Sequence, residues 1–355
     1  MKKIYRHIKN SFHTSPLPFM RTGLSASGGG WALVLIVAGL FLLGFLLAKS
    51  ESSSVKTFKQ TKILMGTVVE IQVRDADEDK ASRSIAKAFS EIKRIDDLFS
   101  SYNKESIIWK LNHGVIEGHN LPGELFDLIT LSDSIWKISG GAFDVSLGNL
   151  IELWGFGSEK ISIPGKEKLS ENLSASGWQN VQIKNDKSIA VLQNTKFDFG
   201  AVAKGYAVDK AVQMLEQSKV PAALVNAGGE VKGFGSDWVV GIQHPRKKNE
   251  ILEKIKLHGM SVATSGDYEQ YFEANGKRYH HILNPKTGMP ANECQSVTII
   301  SKENKIADAL ATAVFVLGPK KGMELVNKID DIEAAIIDSN GETLYSNDFN
   351  KFLLR

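Results

Sequence analysis

The sequence predicts an α+β body that follows a single apolar N-terminal span. Three observations carry this. Short runs such as Ile63 to Val73, Ala222 to Asn226 and Val297 to Ile300 have the alternation or apolar density of strands. Longer runs, Ala81 to Phe99 and Ile306 to Leu317, place apolar residues at helical spacing. Glycine-rich turns join strand to strand, so the pattern is one of hairpins mixed with helices and not of a doubly wound parallel sheet. No internal repeat interrupts it.

The first thirty residues are basic, and Trp31 to Ala48 is an uninterrupted apolar run. At about 1.5 Å per residue it reaches roughly 27 Å, close to the hydrocarbon thickness of a bilayer. The basic flank predicts a cytoplasmic N-terminus and a body across the membrane. Leu46-Leu47-Ala48 is a poor cleavage site, so an uncleaved anchor is expected over a signal peptide. Residues 49–60 read as a polar tether and 61–350 as the folded domain. Charge follows the same division. Lys2, Lys3, Arg6, Lys9, Arg21 and Lys49 have no acidic counterpart in the first fifty residues, so of 43 basic and 40 acidic side chains the body keeps a small acidic excess. That argues against nucleic acid as the main partner. The lone Cys294 excludes an internal disulfide framework and reads as apolar filler.

Within the body, Ile63 to Val73 reads as one strand with a glycine interruption at Met65-Gly66-Thr67. Ala81 to Phe99 is an amphipathic helix, followed by a polar turn carrying Tyr102. Leu125 to Ile138 is a second helix, stopped by Ser139-Gly140-Gly141. Asp144 lies between Phe143 and Val145, an awkward place for a charge without a partner. Residues 158–180 form a surface excursion with a short helix. Ile189, Val191, Phe197 and Phe199 read as strand positions. Gly200 allows a turn, and Ala203 to Gln217 is a helix. This corner sets Asp198 before a helix start and Lys204 just inside it, a geometry suited to an anion, or to a plain buried corner capped by Asp198. Val231 to Phe234 and Trp238 to Ile242 read as a hairpin. His280 and His281 precede a Pro-x-x-Gly turn. If that segment is extended, they point to opposite faces, with His280 toward the surface. Asp308 and Thr312, four apart, share one helix face. Two hard oxygen donors, with a backbone carbonyl from the turn at Gly200-Ala201, suit Mg²⁺; a helix-start acid and a packing threonine are the bland alternative.

Eight segments occur in order: M-G-T (65–67), G-A-F-D-V-S-L-G (141–148), L-W-G-F-G (153–157), D-F-G-A-V-A-K-G-Y-A-V-D (198–209), N-A-G-G-E (226–230), A-T-S-G-D-Y (263–268), H-I-L-N-P-K-T-G (281–288) and A-D-A-L-A-T-A (307–313). Together they resemble the ApbE family, Mg²⁺-dependent FAD:protein FMN transferases, across roughly residues 60–345. The resemblance implies a mixed α/β domain with FAD in a cleft between two lobes. It implies that Met65, Tyr102, Ala142, Phe143, Asp144, Asp198, Lys204 and Ile282 line FAD. Ala201 (through its carbonyl), Asp308 and Thr312 would hold the metal, and His281 would act in the chemistry, with Asp267 as an alternative or orienting group. Asn284 stands where many members have Asp. The implied reaction moves FMN from FAD to a Ser or Thr hydroxyl of a partner protein, a membrane electron-transport subunit facing the periplasmic side, and releases AMP. A Mg²⁺-dependent FAD pyrophosphatase and a membrane-anchored FAD carrier are the competing readings.

Overall fold

The β-favouring run that opens the body folds back on itself. The computed structural model describes residues 54–158, 161–184 and 186–354. In it Lys56–Leu64 (β1) and Thr67–Asp75 (β2) pair antiparallel, with Ile63 opposite Val68. Met65 and Gly66 form the turn at φ 52° and 70°, the left-handed backbone that a two-residue hairpin needs. Ile63 to Val73 is therefore a hairpin and not one strand. Residues 56–60 are strand and not tether, because their backbone pairs with β2 while most of their side chains face water. The segments expected at 1–30, 31–48 and 49–53 lie outside the described residues. No helix among the described residues is long and apolar enough to cross a membrane.

Five helices follow: Glu78–Phe99 (α1), Ile107–Asn112 (α2), Gly123–Ile138 (α3), Gly148–Trp154 (α4) and Lys166–Ser174 (α5). Val181–Ile183 (β3) and Ile189–Val191 (β4) make a small ribbon, and Gly200–Gln217 is α6. The rest runs Ala222–Ala227 (β5), Glu230–Phe234 (β6), Trp238–Gln243 (β7), Ile251–Leu257 (β8), Ser261–Gly266 (β9), Tyr271–Ala274 (β10), Lys277–His280 (β11), Cys294–Ser301 (β12), Asn304–Val326 (α7), Glu333–Asp338 (β13) and Thr343–Tyr345 (β14). One sheet takes eight strands in the order β1-β2-β5-β6-β9-β12-β13-β14, with every neighbouring pair antiparallel. Residues Ser54–Arg355 form one compact unit.

Burial explains the layers. Val69, Ile71 and Val73 of β2 and Val297 and Ile299 of β12 face the main core. On that side α1, α6 and α7 pack against the sheet, with α6 touching both α1 and α7. α1 contributes Ile85, Phe89, Ile92 and Phe99, and its start is capped by Asp77, whose side chain accepts from Lys80 N at 2.9 Å. The other side of the sheet carries a second cluster, with Leu224, Trp238, Ile255, Leu257 and Ile300. β7 pairs with β8 in that layer and not with β6, because Trp238, Ile255 and Leu257 are needed there as a cover. A third cluster, around Trp154, Phe156 and Leu283, takes Phe272 and Tyr279 of the β10–β11 hairpin.

Phe197 and Phe199 are buried but belong to no strand, and α6 begins at Gly200, three residues earlier than expected. α7 breaks at Gly318, whose φ is 78°, just before Pro319. Two contacts fix where α7 starts. Asp209 of α6 accepts from the backbone N–H groups of Asn304 and Lys305, each at 3.0 Å. Asn304 Nδ2 donates to Val231 O and Val262 O on β6 and β9. The two helices touch at Gly205, where a Cβ would lie 2.5 Å from Asn304 O and 2.8 Å from Asp308 Cβ. Gly205→Ala forces α6 and α7 apart, and we expect a loss of about 1–3 kcal/mol. A urea midpoint equal to that of the unaltered protein would contradict this packing.

Candidate functional site

A cavity of about 430 Å³ opens among the β1–β2 turn, the C-terminal end of α1, the start of α6, the end of β9, the segment 281–285 and one face of α7. It is within the size range of small-molecule sites. Its lining includes apolar and aromatic side chains, among them Met65, Tyr102, Phe156, Ile282 and Leu283, and charged ones, among them Asp144, Asp198, Lys204, Glu269 and Asp308. Of the residues singled out from the sequence, Met65, Tyr102, Ala142, Asp144, Asp198, Ala201, Lys204, His281, Ile282, Asp308 and Thr312 all line it. Two do not. Phe143 is fully buried in the main core, pointing away while its neighbours Ala142 and Asp144 face the cavity. Asp267 is turned to the far side, where Arg246 holds its carboxylate at 2.6 and 2.7 Å.

Around Met65, Tyr102, Asp144 and Asp198 each part of the wall is held by a polar contact. Met65 N–H donates to Asp96 Oδ2 at 3.1 Å, tying the hairpin turn to α1. Tyr102 is 60% exposed, and its hydroxyl donates to Phe156 O at 2.9 Å, so a flat aromatic face is fixed at the rim. Burial raises the Tyr102 phenol above its usual range, with Asp198 adding to the effect. Asp144, the charge without an evident partner, accepts from Ser146 N at 2.8 Å, from the Ser146 hydroxyl and from Trp178 N at 2.9 Å. Burial still raises its carboxyl. Asp198 accepts from Ser101 Oγ and from Gly200 N, each at 2.8 Å, and so fastens the loop after α1 to the start of α6.

The helix crossing places Asp308. Gly205 N–H donates to its Oδ2 at 2.8 Å, leaving Oδ1 for another partner. Thr312, one turn on, pairs its hydroxyl with Ser265 Oγ at 3.2 Å. Burial raises the Asp308 carboxyl, opposed by Lys204 and the Gly205 amide. Lys204 forms an ion pair with Glu230. Burial would lower the Lys204 ammonium, but Glu230, Asp308 and Glu269 outweigh it, and its pKa lies above the ordinary lysine value. Burial likewise raises the Glu230 carboxyl, whose Oε2 is enclosed with no hydrogen-bond partner. One ammonium thus faces three carboxylates, an excess of negative charge that a cation would balance.

No cluster of three or more His, Cys, Asp or Glu among the described residues has metal-binding geometry. Among the groups lining the cavity, the Asp308 carboxylate, the Thr312 hydroxyl and the carbonyl of Ala201 make an oxygen set that fits Mg²⁺, which takes few protein ligands and fills its sphere with water and phosphate oxygens.

His281 is half-buried at the cavity wall, and its backbone N–H and Nδ1 both lie against Gln270 O, at 3.1 and 3.3 Å. A carbonyl only accepts, so the proton sits on Nδ1 and Nε2 keeps its lone pair. Burial, with His280 and Lys204 adding, pushes the imidazole down to about 4. His280 is not at the surface. It is 4% exposed, lies against Ala291 O at 2.6 Å through Nε2, and accepts from Ile282 N at 3.3 Å. Asn284 shapes the following turn, accepting from Lys286 N at 2.9 Å. Sequence reading missed Glu230, Glu269, Ser265 and Gln270. Glu230 stood in a quoted motif, but only the fold brings it to Lys204.

A model of the ApbE family matches residues 65–336. A Klebsiella pneumoniae (strain 342) protein named FAD:protein FMN transferase is 33% identical over 298 residues, covering 82% of this chain and 92% of that protein. An Escherichia coli (strain K12) protein of the same name is 29% identical over 343 residues, covering 91% and 97%. Among solved structures, the ApbE protein of Thermotoga maritima superposes with a TM-score of 0.78 at 34% identity, over 84% of this chain and 100% of that one. The flavin transferase ApbE of Vibrio cholerae does so with a TM-score of 0.73 at 26% identity, with the same coverage.

The depressed imidazole has a consequence for stability. His281 is neutral in the fold down to about pH 4, whereas an unfolded histidine protonates near about 6.5. Its contribution to stability is therefore complete above the unfolded value and is lost as pH falls toward and through the folded one. NMR titration of the His281 ring should give a midpoint near 4. A midpoint at or above the ordinary histidine value would contradict the neutral assignment.

Proposed function

The chain belongs to the ApbE family, and on that premise we propose that it transfers the FMN part of FAD to a Ser or Thr hydroxyl of an acceptor protein. The observation that carries the reading is one cavity whose lining brings Met65, Tyr102, Phe156 and Ile282 together with Lys204, Asp308, Thr312 and an imidazole whose proton sits on Nδ1. A flat ring suits the apolar and aromatic side chains, and the linked phosphates of a dinucleotide, together with a cation, suit Lys204, Asp308 and Thr312.

In the reaction the acceptor Oγ bonds to the phosphorus on the FMN side. The P–O bond to the AMP side breaks, and its electron pair leaves on AMP. The acceptor hydroxyl proton passes to His281 Nε2. Lys204 supplies fixed positive charge beside the phosphates, and Asp198 and Tyr102 keep the walls in place. Asp308, Thr312 and the Ala201 carbonyl would hold Mg²⁺, which when bound neutralises phosphate charge as the leaving group departs. Phosphates next to His281 raise its basicity from the low value of the ligand-free cavity, because negative charge favours the imidazolium.

Placement is a further part of the proposal. Trp31 to Ala48 would anchor the protein in the cytoplasmic membrane as a single pass, with the body on the extracytoplasmic side. Acceptors there would be subunits of membrane redox complexes.

Asp308→Asn keeps an acceptor for the Gly205 amide but removes the charge. With FAD, Mg²⁺ and an acceptor protein, FMN attachment should fall by at least about 100-fold, and EDTA should abolish it in the unaltered protein. Undiminished attachment by the variant would remove Asp308 from the metal site. Free FMN and AMP without attachment would make the protein a pyrophosphatase instead.

A further inference from the structure

The two histidines stand at the root of a hairpin that has little core of its own. β10 and β11 pair Tyr271 with His280, so Gln270 enters the hairpin where His281 leaves it. Two-stranded hairpins are marginal without outside support. One face is held by Phe272 and Tyr279, which pack on Trp154 and Phe156. The other is held through Asp267.

Asp267 is 7% exposed and ties four segments together. Its carboxylate accepts two bonds from Arg246, on the loop after β7, at 2.6 and 2.7 Å. It also accepts from Arg278 Nη1 on β11 at 3.5 Å. Its backbone N–H donates to Gln295 O on β12 at 3.1 Å. Arg278 in turn lies over the Tyr271 ring, 4.1 Å from its centre. The next residue, Tyr268, folds its ring back over Gly266, where a Cβ would lie 2.5 Å away. The turn 267–270 is thus pinned at its start, and its end presents the Gln270 carbonyl that fixes the tautomer of His281.

We propose that Asp267, gripped by Arg246 and Arg278, is a positioning residue for His281: it acts through the 267–270 turn to hold the imidazole with Nε2 unprotonated toward the cavity. Asp267 touches neither the cavity nor His281, so it takes no proton in the reaction. The inference rests on His281 as the proton acceptor, but its test does not depend on turnover alone.

Arg246→Lys removes the two-pronged grip and keeps the positive charge, at a side chain that is 37% exposed. In the full-length protein, kcat for FMN attachment should fall about 10- to 100-fold while the Kd for FAD stays within about threefold. The ¹⁵N spectrum of His281 should change from one Nδ1–H tautomer to a mixture. Arg278→Lys should do the same more weakly, since its contact is longer. A kcat and a tautomer signal both unchanged in Arg246→Lys would overturn the assignment. So would a parallel loss of FAD binding and thermal stability with the tautomer intact, which marks a merely structural clamp. If the unaltered protein attaches no FMN, the proposed reaction fails, yet the ¹⁵N comparison still decides whether the clamp orients the ring.

Discussion

The close crossing of α6 and α7 at Gly205 is the constraint on which the rest depends. With no side chain there, the α7 backbone and Asp308 come within van der Waals reach of α6, and a backbone amide of one helix bonds the carboxylate of the other. Asp209, one turn further along α6, receives the free amides at the start of α7. A helix start needs such acceptors, and here a neighbouring helix supplies them. The register of α7 is thereby set to within a residue, and with it the positions of both Asp308 and Thr312. Lys204 sits one residue before Gly205, so the same crossing brings the ammonium beside the carboxylate.

That arrangement concentrates charge where burial disfavours it. Glu230 is 1% exposed and Asp308 3% exposed, and one lysine is shared between them. Breaking a buried pair by removing one partner costs about 3–5 kcal/mol, whereas replacing the whole pair by apolar groups is often neutral. Stability alone therefore gives no reason to keep the cluster. A charged ligand with a cation does, since both charges would be met on binding. The neutral imidazole of His281 obeys the same logic, being held uncharged by its surroundings until a negative group arrives.

Much of the site was legible because its signals are local. Asp308 and Thr312 declare a shared helix face by their spacing, and the strand-to-helix corner at 198–204 announces itself by composition. What stayed hidden depends on partners far apart in sequence. Nothing near Asp267 names Arg246, and nothing near Lys204 names Glu230. The fold itself was read correctly as hairpins mixed with helices, but its edges were not. The glycine at Met65-Gly66 reads equally as a bulge inside one β-favouring run, so two strands looked like one. α2 and α4 are too short for a helical period to emerge. Trp238 was assigned to the wrong partner because alternation says that a strand has two faces, not which neighbour covers them.

The most direct test is a crystal structure of the protein with FAD and Mn²⁺ in place of Mg²⁺. The account predicts an anomalous peak bound to the carboxylate of Asp308, the hydroxyl of Thr312 and the carbonyl of Ala201, with the flavin ring toward Tyr102 and the phosphates beside Lys204. A flavin seated elsewhere, or a metal peak away from α7, would contradict it.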